Sequence, residues 1–204
     1  MGINERKERN KKKMREQILV TAMNLFLEEG FQNVSIRKIA DKIEYSPATI
    51  YLYYKDKDEI LFALHDEGFD KLFKRQQSVH KIADPRKRLR KHGEMYLKFA
   101  FENPEYYNLM FITRSPGRKV VEKGDWNSGI RSYELIKNDV AAAIKAGAIK
   151  DSDIDVITFA LWSFVHGIVS LILRNRCSML DQKHLPVAAL KAYNTMMDNW
   201  GLAV

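Results

Sequence analysis

Hydroxyl and ammonium groups are concentrated between residues 45 and 57, where they could contact the phosphates of an anionic partner. The hydroxyl groups belong to Tyr45, Ser46, Thr49, Tyr51, Tyr53 and Tyr54, and the ammonium groups belong to Lys55 and Lys57. Ser46 and Pro47 mark the start of a helix, because a serine hydroxyl caps the first turn and a proline at the first helical position forgoes no hydrogen bond. The pattern predicts a short helix from Pro47 to about residue 54, with Tyr45 in the turn before it and Lys55 and Lys57 just after it.

Another short helix is predicted to precede this one in the chain. Ser35 is a residue type that caps helices, and apolar residues follow it at helical spacing, namely Ile36, Ile39, Ala40 and Ile43. Ile50 has the spacing to pack back against this apolar side. Two short helices joined by about three or four residues form a helix-turn-helix, whose second helix enters the major groove of DNA while the first lies across the backbone. We therefore predict that this segment binds DNA.

The predicted DNA contacts come from the exposed side of the helix that begins at Pro47, from the turn before it and from the starts of the neighbouring helices. They are Ser35, Arg37, Tyr45, Ser46, Pro47, Ala48, Thr49, Tyr51, Tyr53, Lys55 and Lys57. Because no arginine or asparagine is placed for a bidentate base contact, we expect phosphate contacts, packing on thymine methyl groups and DNA shape to dominate. The alternative is that Tyr51, Tyr53 and Tyr54 are core residues with polar tips.

The chain as a whole is basic. Its 204 residues include 34 Lys and Arg against 26 Asp and Glu, a formal net charge of +8, which favours an anionic partner such as nucleic acid. Seven of the basic residues fall within positions 1–15, which are predicted to form a disordered arm that grades into a helix. This arm could contact phosphates or serve only as a solubilising tail.

The sequence offers little for catalysis or metal binding. The single cysteine, Cys177, excludes an intramolecular disulfide and a cysteine-rich metal site, and it fits a reducing compartment such as the cytoplasm. The sequence has no phosphate-binding loop, no dinucleotide-binding glycine motif and no zinc-type histidine spacing. We therefore expect no enzyme activity, no cofactor and no metal.

Apolar residues recur at helical spacing along nearly the whole chain, without the sustained alternation that is typical of strands. The predicted fold is therefore all-α, with a three-helix N-terminal helix-turn-helix domain followed by a larger helical C-terminal domain. The expected bounds are a basic arm over residues 1–15, a DNA-binding domain over 16–62 and the C-terminal domain over 63–204. A polar loop is predicted from Arg114 to about Gly124.

One segment has to be tested as a membrane span. Residues 156–173 contain no Asp, Glu, Lys or Arg. The length of this uncharged segment is at the lower limit for crossing a bilayer. Polar or small residues interrupt the segment at Thr158, Ser163, His166, Gly167 and Ser170. A helix that is apolar all round is also typical of a domain core or a subunit interface, so we expect a buried helix and no membrane.

Residues 18–61 resemble the N-terminal DNA-binding domain of the TetR family of bacterial transcription regulators. The matched residues are Ala22, Leu25, Phe26, Gly30, Phe31, Ser35, Ile36, Arg37, Ile39, Ala40, Ser46, Tyr51, Tyr54 and Lys57. Glu44 departs from the family, which usually has glycine in this turn, and Tyr54 stands where phenylalanine is usual. The resemblance implies a homodimer on a roughly palindromic operator, with its second helices about 34–36 Å apart. The DNA contacts that it implies are Ser35, Thr49, Tyr51, Tyr53 and Lys57.

Two segments of the C-terminal half, residues 101–111 and 162–167, resemble one subgroup of this family. The resemblance implies that the last two helices form a four-helix bundle with their copies across a dimer axis. The apolar stripe expected at that interface is Leu190, Tyr193, Met197 and Trp200. The residues that could line a ligand pocket are Tyr96, Phe99, Met110, Phe111, Trp126, Trp162 and His166, although aromatic and methionine residues at helical spacing are more often plain core.

These patterns and the resemblance together predict a cytoplasmic, homodimeric repressor that is released from its operator when a small, largely apolar ligand binds the C-terminal domain. The alternative is an adaptor that binds membrane surfaces or proteins through a basic face. That face would be formed by the basic arm over residues 1–15 and by the stretch Arg86, Lys87, Arg88, Arg90 and Lys91. Binding to duplex DNA and to anionic vesicles across a range of salt concentrations separates the two hypotheses.

Overall fold

The computed structural model describes residues 2–124, 126–150 and 152–202. Helices account for 80% of it, and the described residues form no strand, which confirms the all-α prediction. Contacts divide the chain into an N-terminal unit, residues 1–67 with 108–125, and a C-terminal unit, residues 68–107 with 126–204. This division differs from the predicted boundary near residue 62, because residues 108–125 group with the N-terminal part of the chain.

The helices of the described ranges follow one another with short connections. They are α1 (Ile3–Glu29), α2 (Ile36–Lys42), α3 (Pro47–Tyr51), α4 (Lys57–Val79), α5 (Pro85–Glu102), α6 (Pro104–Tyr107), α7 (Arg114–Lys123), α8 (Asn127–Lys145), α9 (Ile154–Leu173) and α10 (Leu185–Met197). A π-helical turn follows α6 at Asn108–Ile112, and another follows α10 at Asp198–Leu202. A 3₁₀ turn at Gln182–His184 precedes α10.

The basic start of the chain is helical, since α1 already begins at Ile3 where the sequence predicted a disordered arm. The correction has a local cause. Lys, Arg and Glu all favour helices, and Glu5 and Glu8 each stand four residues before a basic residue, which is the stabilising order for an ion pair along a helix. The Glu5 carboxylate also accepts a hydrogen bond from the Gly2 N–H at 2.9 Å.

Helix α7 occupies the segment that was predicted to be a polar loop. Its polar residues bond to the start of α4 within the N-terminal unit: the Ser115 hydroxyl donates to Oδ1 of Asp58 at 2.6 Å, and Nζ of Lys119 lies 3.5 Å from Oδ2 of Asp56. The helix ends at Gly124, which has the left-handed φ of 61°. These partners lie about 60 positions away in the sequence, so local composition could not reveal them.

The core of the N-terminal unit joins α1, α2 and α3. The buried side chains include Ile18, Ala22, Leu25 and Phe26 of α1 and Ile36, Ile39 and Ala40 of α2. Ile50 of α3 is fully buried, as its spacing predicted. Apolar packing therefore holds α1, α2 and α3 together, and the side of α3 opposite Ile50 is left uncovered by this core.

In the C-terminal unit, α5 packs against α8, α9 and α10. Close approach of α5 and α10 depends on Gly93, since a Cβ atom there would lie 2.1 Å from the Tyr193 hydroxyl. That hydroxyl donates to the carbonyl of Arg90 at 3.1 Å. Helix α9 is long and apolar enough to cross a membrane by length and composition alone, a test that soluble core helices also pass. Only 22% of the residues in its most apolar stretch are buried within the protomer, so the predicted burial is incomplete.

Candidate nucleic-acid interface and ligand cavity

Helix α3 is fixed at its start by hydrogen bonds that its own residues provide. The Ser46 hydroxyl accepts from the Thr49 N–H at 3.3 Å and lies 3.1 Å from the Thr49 hydroxyl, and Pro47 occupies the first turn. Ile50 anchors the buried side. These contacts leave Tyr51 on the outer side with 56% of its surface exposed. The helix therefore presents an aromatic hydroxyl side chain on a locally rigid support.

The three neighbouring tyrosines have different environments. Tyr54 is buried, with the Arg15 guanidinium 6.0 Å from its ring centroid, and burial raises its pKa above the usual value. Tyr53 is half-buried and Tyr51 is exposed, as is Tyr45 in the turn before α3. The alternative that these tyrosines are core residues thus holds for Tyr54 and not for Tyr51.

The remaining residues predicted to contact DNA surround Tyr51 on the two short helices and their flanks. Ser35, Arg37, Ser46, Ala48 and Lys55 are exposed, and Pro47, Thr49 and Lys57 are partly buried. Ser35 caps α2, since its hydroxyl accepts from the Lys38 N–H at 3.2 Å. Both predicted caps therefore form, and the two helix starts carry no acidic residue in their first turns.

Lys57 has a structural role that the sequence did not suggest. Its ammonium donates to the carbonyls of Phe31 at 2.8 Å and Val34 at 3.0 Å, which follow the end of α1. An ammonium group has three donors, so one remains for a phosphate. The side chain therefore ties the start of α4 to the loop before α2, and its removal would disturb both the fold and any DNA contact.

Glu44 forms the turn between α2 and α3 in a left-handed conformation, with a φ of 60°. Its N–H donates to the Asp41 carbonyl at 3.2 Å, and the Tyr45 N–H donates to the Ala40 carbonyl at 3.0 Å. Glycine adopts this conformation without steric cost. The turn geometry is thus kept despite the glutamate.

The C-terminal unit contains a small cavity among α4, α5, α8, α9 and α10. Its volume is about 30 Å³, and its lining residues are Gln76, Leu89, His92, Gly93, Tyr96, Ile136, Leu161, Trp162, Val165 and Tyr193. A single water needs about 10–15 Å³ on such a measure, so the cavity has room for a small group only. Two residues predicted to bind a ligand, Tyr96 and Trp162, lie in its wall.

A buried polar network lies behind the cavity, and sequence reasoning missed it. Asp139 of α8 accepts from Nε of Arg88 at 2.6 Å and lies 2.7 Å from Nδ1 of His92, both on α5. Burial by itself would raise the pKa of Asp139, but these two hydrogen bonds hold the pKa below its usual value. A polar residue within the apolar stripe of α5, at position 92 between Leu89 and Tyr96, was the available signal.

His166 lies beside the cavity without lining it. The Tyr96 hydroxyl is 3.0 Å from its Nε2, the Tyr107 hydroxyl lies 3.4 Å from its carbonyl, and the Trp162 ring centroid is 4.9 Å away. Burial lowers the pKa of His166 to about 4. It also raises the pKa of Tyr107 to about 12. At neutral pH these groups are uncharged, which suits a polar cluster inside an apolar core.

Comparisons with known proteins identify the family. Residues 18–64 match the bacterial regulatory proteins of the tetR family, and residues 89–190 match the tetracyclin repressor-like C-terminal domain. The chain belongs to the tetR family. Members of this family are transcriptional regulators, which confirms the expectation that the chain is not an enzyme.

Among the relatives of this tetR-family chain is the HTH-type transcriptional regulator YuxN of Bacillus subtilis, 26% identical over 93 residues, or 45% of this chain and 32% of that protein. The transcriptional activator FasR of Mycolicibacterium smegmatis is 28% identical over 98 residues, 48% of this chain and 45% of FasR. The chain thus spans less than half the length of these curated relatives. The structure of the fatty acid degradation regulator FadR from Bacillus halodurans shares the fold, with a TM-score of 0.70 and 17% identity over 88% of this chain and 93% of FadR.

The other residues predicted to bind a ligand lie outside the cavity of this tetR-family chain. Phe99 is fully buried, and the Trp126 ring lies edge-on to Phe69, with centroids 5.5 Å apart. Met110 and Phe111 belong to the N-terminal unit. Among the seven predicted residues, all of them described by the structure, Tyr96 and Trp162 line the cavity and His166 contacts both.

The stripe predicted for the dimer interface needs a correction. Tyr193 is 2% exposed and Met197 is fully buried, because this side of α10 packs on the protomer's own α5. Leu190 is exposed and Trp200 is half-buried in the last π-helical turn. The large apolar side chains that α9 and α10 expose are instead Val156, Phe159 and Leu171 of α9 and Val187 and Leu190 of α10.

The basic stretch near the start of α5 is largely occupied by internal partners. Arg88 bonds to Asp139, Arg90 pairs with Asp198 and donates to Oδ1 of Asn194 at 3.0 Å, and Lys91 lies 2.9 Å from Glu94, an acid of the same helix. Arg88, Arg90 and Lys91 are thus paired within the protomer, whereas Arg86 and Lys87 of this stretch are exposed.

Proposed function

We propose that this tetR-family chain is a homodimeric, DNA-binding transcriptional repressor of the cytoplasm, which leaves a roughly palindromic operator when a small, largely apolar ligand binds its C-terminal domain. The observation that carries the proposal is the outer side of α3. That side exposes Tyr51 over 56% of its surface while Ile50 is fully buried behind it. A short, anchored helix with an exposed side is what insertion into a major groove requires.

The proposed contacts divide into two classes. Tyr51, Tyr45 and Thr49 would read thymine methyl groups and groove shape from α3 and the turn. Arg37 and Lys55, both exposed, would pair with phosphates on either side. Pro47, Ala48, Tyr53 and Lys57, with the caps Ser35 and Ser46, complete the proposed contact surface.

The apolar side chains exposed on α9 and α10 support a homodimer. Phe159 of α9 is 60% exposed, and Val187 and Leu190 of the next helix, α10, are exposed as well. Burying apolar area is the main driving force of association, at about 25 cal/mol for each Å² removed from water. A second copy of the same two helices would cover these side chains, and the resulting dimer would carry two copies of α3.

The cavity supports a ligand-responsive regulator. Its wall is mostly aliphatic and aromatic, with few polar atoms, as ligand sites in proteins usually are. Since its volume is about 30 Å³, a ligand has to widen it. A ligand that binds only the widened state shifts the conformational equilibrium toward that state, and coupling energies between sites are typically about 1–3 kcal/mol.

The test is the selection of bound duplexes from a random pool. We expect an enriched, roughly palindromic sequence whose half-sites lie one helical turn apart, with affinity that falls steeply as salt rises. Tyr51→Ala should weaken binding to the selected duplex by about tenfold or more, in line with about 1–3 kcal/mol for a base contact. Met179→Ala, a change at an exposed apolar residue of the C-terminal unit, is the matched control.

Two outcomes would contradict the proposal. A pool without enrichment, together with binding to anionic vesicles, would favour the adaptor hypothesis. Equal affinities for Tyr51→Ala and Met179→Ala would show that α3 does not enter the groove.

A further inference from the structure

We propose that the cavity of the C-terminal unit selects an uncharged apolar molecule that carries a hydrogen-bond donor, a hydroxyl or an N–H group, and that Nε2 of His92 and Oε1 of Gln76 accept from this donor. The inference rests on the proposed ligand-responsive function and adds the chemistry of the ligand. It starts from two buried side chains in the cavity wall whose polar atoms are only half used.

The first acceptor is His92, which is 3% exposed. Its Nδ1 lies 2.7 Å from Oδ2 of Asp139, and an ionised carboxylate can only accept, so Nδ1 carries the hydrogen. In the neutral ring the lone pair then falls on Nε2. Within the described part of the chain, this buried Nε2 has no hydrogen-bond partner.

The second acceptor is Gln76 of α4, which is 1% exposed. Its amide nitrogen donates to the carbonyl of Ser132 at 3.1 Å. Because a carbonyl can only accept, this bond fixes the orientation of the amide and leaves Oε1 on the other side. Oε1 is likewise buried without a partner among the described residues.

Two acceptors in one wall favour a ligand that donates. A buried polar atom without a hydrogen bond costs free energy, and a donor from the ligand would remove that cost. Sites built to bond a polar substrate group therefore discriminate strongly against analogues that lack it.

The rest of the wall argues against an anionic ligand. The Tyr193 hydroxyl donates to the Arg90 carbonyl, and the Tyr96 hydroxyl is bonded to His166. Among the described residues that line the cavity there is no Lys or Arg. Arg88, the nearest basic partner of the network, is already bonded to Asp139 behind His92. A carboxylate in the cavity would thus meet two acceptors and no counter-charge, which is costly in an apolar site.

The size of the cavity sets how such a molecule binds. About 30 Å³ accommodates the polar head of a ligand, and an apolar tail would have to displace wall side chains. Trp162, which is only half-buried, is one such side chain, and its indole fluorescence would report the displacement.

The experiment uses the full chain and three probes of similar length. They are 1-octanol, its isomer heptyl methyl ether, which has the same atoms but no hydroxyl hydrogen, and octanoate at pH 8. Binding is followed by tryptophan fluorescence and by the shift in the melting temperature. We expect 1-octanol to bind about tenfold more tightly than either other probe, although the ether is the more apolar isomer. Equal or tighter binding of the ether or of octanoate would overturn the inference, and so would the absence of binding by 1-octanol.

Variants give a second measurement. Gln76→Met should reduce the preference for 1-octanol over the ether, whereas Leu161→Met, a change of an apolar wall residue, should keep it. If Gln76→Met does not fold, the three probes on the unaltered chain still decide the matter. Operator binding is measured separately with the same probes. A preference for 1-octanol without any change in operator affinity would refute ligand-induced release and leave the inference standing, whereas equal release by the ether would refute the inference alone.

Discussion

Replacing Glu44 with glycine should stabilise the protein. Glu44 is the turn residue between α2 and α3, and its φ of 60° lies in the left-handed region. Every residue with a Cβ atom is strained there, because the Cβ approaches the following carbonyl oxygen. The two hydrogen bonds of the turn come from backbone N–H groups, so they persist in the variant.

The expected gain follows from two opposing terms. Relief of the left-handed strain is worth about 1–2 kcal/mol for one residue. Glycine also gives the unfolded chain more freedom, which costs about 0.5–1 kcal/mol. The net stabilisation should therefore be about 0.5–1 kcal/mol, and about 2–4 °C in melting temperature accompanies each kcal/mol for a chain of this size.

The assay is thermal and urea unfolding of Glu44→Gly beside Glu44→Ala. Alanine removes the same negative charge but keeps the Cβ atom, so the difference between the two variants isolates the backbone effect. We expect the glycine variant to be the more stable one. Both variants should raise operator affinity to the same extent, because each removes a negative charge near the proposed DNA surface. A glycine variant that is no more stable than the alanine variant would refute the left-handed assignment of this turn.

Three further predictions concern the C-terminal unit. Asp139→Ala should destabilise the fold by about 3–5 kcal/mol in urea unfolding, because Arg88 and His92 lose a buried partner. The control is Asp70→Ala, which removes an exposed ion pair with Arg131 and should cost about 0–1 kcal/mol. Comparable losses in these two variants would contradict the network. Stability should fall as the pH drops from about 6.5 to about 4, since the unfolded chain protonates His166 near its ordinary pKa while burial lowers the pKa in the folded chain to about 4. The loss is on the order of 3 kcal/mol, and His166→Gln should flatten the unfolding free energy over that interval. Phe159→Asp should shift sedimentation from dimer to monomer with helix content unchanged, while Met179→Asp should leave the dimer intact; a dimer in both would show that α9 is not the interface.

The sequence predicted the N-terminal unit well where the determinants are local. Ser35 and Ser46 cap their helices through hydroxyl bonds to N–H groups three positions ahead, and such bonds can be read from a few residues. Ile50 is buried as its spacing indicated. In contrast, the role of Lys57 depends on the carbonyls of Phe31 and Val34, more than 20 positions away, and no local pattern reveals it.

The C-terminal unit shows what periodicity cannot decide. An apolar stripe on α10 indicates that something covers it, but not what. Tyr193 and Met197 are covered by the protomer itself, whereas Leu190 is left exposed. The acceptor pair of the cavity was also out of reach, because His92 and Gln76 come together only through the packing of α4 on the other helices of the unit.

The exposed side of α9 favours a second protein copy over lipid. A helix that crosses a bilayer alone has to be apolar on every side. One side of α9 is already committed, since Leu161, Val165 and Val169 are buried against the helices of its own unit. The side that remains exposes Phe159 next to the hydroxyl-bearing Ser163, which is also exposed. A partner helix can pack on Phe159 and lie close to Ser163, since small and hydroxyl-bearing residues are typical of helix–helix contacts. The uncovered side of α9 thus has the composition of a helix–helix interface, and Phe159→Asp tests the proposed dimer that would use it.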